Sequence, residues 1–132
     1  MIRQVIYALL LLATPLILAG EPAAGIEKTW AMFQTALKQK SPEALAKISK
    51  FPIHSNEFGG QIKTSDILEK RFAEIFTPKT IQCLLAQKPK RQVQDKKVFY
   101  EAFCDNDKYP IRFIFEKSGS DFLFTAIDNI NE

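Results

Sequence analysis

The sequence has little of what most enzyme chemistry is built on. It holds one histidine, His54, and two cysteines, Cys83 and Cys104, in 132 residues. One imidazole and two well-separated thiols exclude the His- and Cys-rich spacings of zinc sites, so no metal is expected. Of the five glycines only Gly59 and Gly60 are adjacent. That leaves no phosphate-cradling glycine loop and no G-x-S-x-G nucleophile turn. Neither sign of charge dominates, with 18 Lys and Arg against 15 Asp and Glu. The basic balance is therefore no argument for a nucleic-acid partner. No cofactor is implied.

Long apolar runs are also scarce. The one that stands out is Val5 to Leu18, inside MIRQVIYALLLLATPLILAG. It follows Arg3 and precedes the small residues Ala19 and Gly20, the three-part layout of a secretory signal peptide. At about 14 residues, with Pro15 inside it, the run falls short of the roughly 20 that a spanning helix needs. Residues 1–20 are therefore read as a signal peptide and 21–132 as a single domain, periplasmic or secreted. Cleavage is expected near Gly20, with Ala24 as a second position and an uncleaved anchor as the alternative. Loss of Arg3 lowers the formal charge from +3 to +2. No stable membrane span is expected after cleavage. In an exported chain, Cys83 and Cys104 invite pairing; the other reading is two buried free thiols.

The order of elements comes from periodicity and caps. Ile26, Trp30, Phe33 and Leu37 form one stripe of a helix over 26–40. Ser41-Pro42-Glu43 starts a second short helix, with Ser as N-cap and Pro at the first helical position. It ends by Lys50, and Phe51 to Ser55 follows as a short strand, where Pro52 suits an edge or a strand start. Gly59-Gly60 marks a turn. Thr64 or Ser65 caps a third helix, SDILEKRFAEIF, which Thr77-Pro78 interrupts. Residues 79–87 resume as a helix or form a strand. A strand lies within Val93 to Cys104, another covers Tyr109 to Lys117, and a last one covers Phe122 to Ile130. The stretch KPKRQVQDKK, residues 88–97, carries five basic residues and reads as a solvated hairpin loop. Helices early and strands late argue for an α+β fold, with the helices packed on a curved antiparallel sheet.

The W-x-x-F-x-x-A-L pattern of Trp30, Phe33, Ala36 and Leu37, followed by SPEALAKI, resembles the nuclear transport factor 2-like superfamily. The stretch FPIHSNEFGG and the later IFTPK resemble small secreted bacterial members of that group, of unknown function. DNDKYPIRF departs from the Gly-rich hairpin of those relatives. The resemblance covers about residues 26–130 in layout. It implies a cone-shaped, cystatin-like sheet, a pocket between sheet and helices, and homodimers formed through the outer face of the sheet. Trp30, Phe33, Phe72, Phe113 and Phe124 would line that pocket, or simply form the core. The superfamily holds isomerases, dehydratases, cyclases and non-catalytic modules, and fold does not choose among them.

Catalytic candidates are few. His54, in KFPIHSNEFGG, with Glu57 three residues on, could form a base and its orienting partner. Isomerase chemistry would draw on a carboxylate and an oxyanion donor among Asp105, Asp107, Asp128, Tyr100 and Tyr109. The ordinary reading of these groups is solvated loop and strand-end side chains. Three expectations follow. The leading one is an exported, non-catalytic binding domain for a small apolar molecule or a protein. The others are a periplasmic inhibitor or immunity-type protein, and an isomerase or dehydratase using a pocket carboxylate. A filled cone would favour a protein partner.

Overall fold

The computed structural model describes residues 24–105 and 110–130. The expected signal peptide, and Asp107 and Tyr109, lie outside the described residues. The chain runs α1 (Ala24–Lys38), α2 (Pro42–Lys47), β1 (Ser49–Ser55), α3 (Ser65–Ile75), α4 (Pro78–Leu85), β2 (Lys90–Gln94), β3 (Lys97–Asp105), β4 (Pro110–Ser118) and β5 (Asp121–Asn129). This is an α+β fold, four helices on a curved five-stranded sheet.

The helices start where the sequence provides donor-satisfying side chains. Ala44 N–H donates to Ser41 Oγ at 3.1 Å, Ile67 N–H to Thr64 Oγ1 at 3.3 Å and Thr80 N–H to Thr77 Oγ1 at 3.2 Å. Each cap satisfies one of the orphan amides of a first helical turn. Pro42 and Pro78 occupy first-turn positions that need no N–H. Residues 79–87 thus resume as a helix, not a strand. The predicted stripe of α1 is buried along its length: Ile26, Trp30, Phe33 and Leu37 are at most 6% exposed.

The sheet order is β1-β5-β4-β3-β2. It differs from the sequence expectation in two ways. First, β1 pairs with β5 in parallel, His54 opposite Ala126 and Ser55 opposite Ile127, so the sheet is mixed and not wholly antiparallel. The cause is topological: β1 is followed by two helices and three strands before its partner arrives. Second, the strand expected within Val93 to Cys104 is present as β3, but an additional strand, β2, precedes it, the two joined as a hairpin at Asp95-Lys96. Both turn residues have positive φ, 52° and 67°, the two-residue turn that matches strand twist. Usually Asn-Gly or Asp-Gly marks such a turn, and neither is present. The hairpin expected over 88–97 is present, but its loop narrows to the turn at Asp95-Lys96 and Lys90–Gln94 is an edge strand. The cystatin-like description of the cone finds no support in this arrangement.

The core sits between helices and sheet and is dominated by aromatic rings. Phe33 packs against Phe115 at 4.9 Å, Trp30 at 5.3 Å and Phe124 at 5.4 Å between centroids. Phe76 joins Phe33 to Phe72 and Phe113. Polar groups at the margin are spoken for. Thr29 Oγ1 donates to the Phe122 carbonyl at 2.7 Å, tying α1 to β5. Trp30 Nε1–H donates to the Gln87 carbonyl at 3.2 Å. Cys83 and Cys104 are disulfide-bonded, joining α4 to β3. Asn56 brackets the end of β5: its amide nitrogen donates to the Asn129 carbonyl and its carbonyl oxygen accepts from Asn129 N–H.

Candidate functional site

The residues read as pocket lining or core pack as core. Trp30, Phe33, Phe72, Phe113 and Phe124 are all at most 7% exposed. They pack on one another and on Phe76 and Phe115, and the middle of the cone is occupied by their rings.

A concave space lies at the end of the sheet, beside the N-terminal end of α1. It is an open groove of about 780 Å³. Every strand contributes to it: Lys50 from β1, Arg91 from β2, Val98 and Tyr100 from β3, Lys117 from β4 and Phe122 from β5, with Ile26 from α1. Residues from the two outermost strands, β1 and β2, meet at one groove because the sheet curls. Its floor is apolar and aromatic. Tyr100 meets Phe122 edge-on at 5.1 Å. Its rim is cationic: Lys50, Arg91, Lys96, Lys97 and Lys117, against the single acid Glu116. All six are exposed. Like charges gathered around a low-dielectric concavity raise the local concentration of anions. What this arrangement can do is hold an anionic group while an apolar portion rests on Tyr100 and Phe122.

The catalytic candidates lie elsewhere. His54 is exposed on β1, with its Nδ1 3.0 Å from Gln61 Nε2. At Glu57 the backbone is fixed by Ser55, whose Oγ donates to the Glu57 carbonyl at 2.6 Å and accepts from Glu57 N–H at 3.0 Å. Asp128 projects from the sheet face opposite the core. There Arg112 Nη2 donates to its Oδ2 at 3.0 Å. The same guanidinium reaches Glu101 Oε1 at 3.4 Å, and Gln92 Nε2 donates to Glu101 Oε2 at 2.8 Å. Gln92, Glu101, Arg112 and Asp128 thus form a row across β2, β3, β4 and β5. Asp105 is exposed at the end of β3. Among the described candidates, Tyr100 alone borders the groove. Among the described residues no group of three or more His, Cys, Asp or Glu could hold a metal ion. No helix among them is long and apolar enough to cross a membrane.

The groove cations were the residues missed by sequence reasoning. Arg91, Lys96 and Lys97 stood in a recognised basic run, but Lys50 and Lys117 are far from it in sequence. The β2–β3 hairpin holds those three together, and the curl of the sheet brings Lys50 and Lys117 to them.

No protein-family model and no curated protein matches the chain. Among solved structures it is similar to a de novo designed protein with a curved β-sheet, at 18% identity over 77% of this chain and 92% of the other, with a TM-score of 0.41. It is similar to a variant of a protein named for NTF2, at 10% identity over 77% and 93%, with a TM-score of 0.45. A third is a candidate ketosteroid isomerase from Shewanella frigidimarina, at 10% identity over 83% and 96%, with a TM-score of 0.46. Likenesses at this level assign neither family nor activity.

Proposed function

We propose that the chain is an exported, non-catalytic binding domain of nuclear transport factor 2-like build, whose binding surface is the cationic groove and whose partner is acidic. One observation carries this reading. The cone interior is filled by Phe33, Phe113, Phe115 and Phe124, while the open concavity is rimmed by five cations over an apolar floor. A filled cone favours a protein partner over a small apolar passenger, which fits an inhibitor or immunity-type role. The disulfide is in keeping with an oxidising compartment. The isomerase alternative asks for a carboxylate in a dry pocket. Asp128, its candidate base, faces away from the core and is paired with Arg112.

Binding of a fluorescent, capped peptide of alternating Glu and Val tests the reading. Lys97→Glu with Lys117→Glu should weaken binding by about tenfold or more, and added salt should weaken it for the parent protein. Both side chains are exposed, so the urea midpoint should move little. Equal binding by parent and double variant would sink the groove as the binding surface.

A further inference from the structure

The two edges of the sheet are finished differently. At β1, the Ile53 N–H donates to the Ile62 carbonyl at 2.8 Å and the Ile62 N–H returns to Ile53 at 3.0 Å, so the loop before α3 covers that edge. At β2 the edge is open. The two-residue turn at Asp95-Lys96 sets the hydrogen-bond phase of the hairpin. Gln94 faces Lys97, Gln92 faces Phe99 and Lys90 faces Glu101 as the hydrogen-bonded pairs. The alternate residues, Arg91 and Val93, therefore turn their N–H and C=O groups outward. Among the described residues no strand, loop or side chain pairs with them. Val93 is 56% exposed. Their side chains share the face of Tyr100 and Val98, and Arg91 itself borders the groove.

An open edge is normally guarded by charge. Here the guard is of one sign: Lys88, Lys90, Arg91, Lys96 and Lys97 flank it, with Asp95 the lone acid. Two copies of this edge repel one another, so a second copy of the chain is not the occupant. An acidic strand is matched in charge and in backbone. A nucleic acid or an anionic lipid would answer the cations but leave the outward amides and carbonyls of Arg91 and Val93 unpaired. We propose that β2 is a docking strand, on which an extended acidic segment of a partner protein pairs with the backbone of Arg91 and Val93 and adds a sixth strand to the sheet. This rests on the reading of the groove as an acidic-partner site and adds the mode of binding.

The experiment separates the two claims. The alternating Glu-Val peptide is compared with the same peptide N-methylated at two adjacent central residues, which keeps every side chain and charge but cannot pair along either edge. The protein is compared with Val93→Pro, which removes an outward N–H and none of the β2–β3 ladder bonds. The expected result is a loss of about tenfold or more for the methylated peptide and for Val93→Pro. Amide exchange at Arg91 and Val93 should slow in the complex with the unmodified peptide. Equal binding of both peptides would overturn strand addition and leave the groove standing, whatever the folding of Val93→Pro. Failure of both peptides to bind the parent protein would overturn both claims.

Discussion

Arg112 is the residue on which the outer face of the sheet depends. Its guanidinium joins Asp128 to Glu101, a carboxylate only 6% exposed, while its own Nε is buried without a partner. Removing it leaves Glu101 with Gln92 alone. Arg112→Met should therefore cost about 1–3 kcal/mol, the cost of stranding a buried polar group, and not more, because Arg112 is itself one-third exposed. A urea titration reads this as a lower midpoint. Adding Glu101→Gln should restore part of the loss, since an amide is cheaper to bury than a carboxylate. If Arg112→Met leaves the midpoint unmoved, the row carries no stability. His54 makes the opposite point. It attracts attention in the sequence by being the sole imidazole, yet it is an exposed strand residue beside Gln61. Rarity is a property of composition, and an active site needs burial and convergence that composition does not report.

Among the elements, those whose signals are local were legible. Ser41-Pro42, Thr64 and Thr77-Pro78 announce helix starts because a cap and its amide lie within three residues. Gly59 and Gly60 announce a turn and adopt φ of +82° and +91°. A hairpin over 88–97 was legible, but its two-residue turn and the strand β2 were hidden because Asp95 and Lys96 take left-handed conformations without a glycine. The parallel partner of β1 was hidden because nothing local records a pairing across more than seventy residues. The Cys83–Cys104 bridge joins two such separately legible elements, α4 and β3, across 21 residues. Closing a loop of that size contributes about 3 kcal/mol by restricting the unfolded chain. Cys83→Ser with Cys104→Ser should lower the urea midpoint accordingly while far-UV circular dichroism stays native. No change in midpoint would mean that the bridge restricts nothing the chain would otherwise explore.

At the scale of the molecule, the filled cone and the cationic groove divide the labour. Phenylalanine packing holds the curl of the sheet, and the curl gathers Lys50, Arg91, Lys96, Lys97 and Lys117 at one rim. The individual rings were legible as core from their spacing. The rim was not, because it exists only once all five strands are in place. β5 is central to that assembly. It lies between β1 and β4, and α1 is tied to it through Thr29. A chain ending before Asp121 should show no cooperative unfolding in urea, although α2, α3 and α4 keep their sequences and caps. A sharp transition in that shortened chain would show that the helices and β2–β4 form a unit of their own.

The parallel pairing of β1 with β5 also has a meaning in time. A ribosome delivers β1 long before β5, and among the described residues no other strand lies beside β1 in the sheet. The β2–β4 meander can form as it emerges, but β1 and the aromatic face of α1 must wait for the last strand. Contacts of such long sequence separation are slow to form. Through most of its synthesis the chain is thus an open assembly whose Phe-rich surface stays uncovered until β5 arrives.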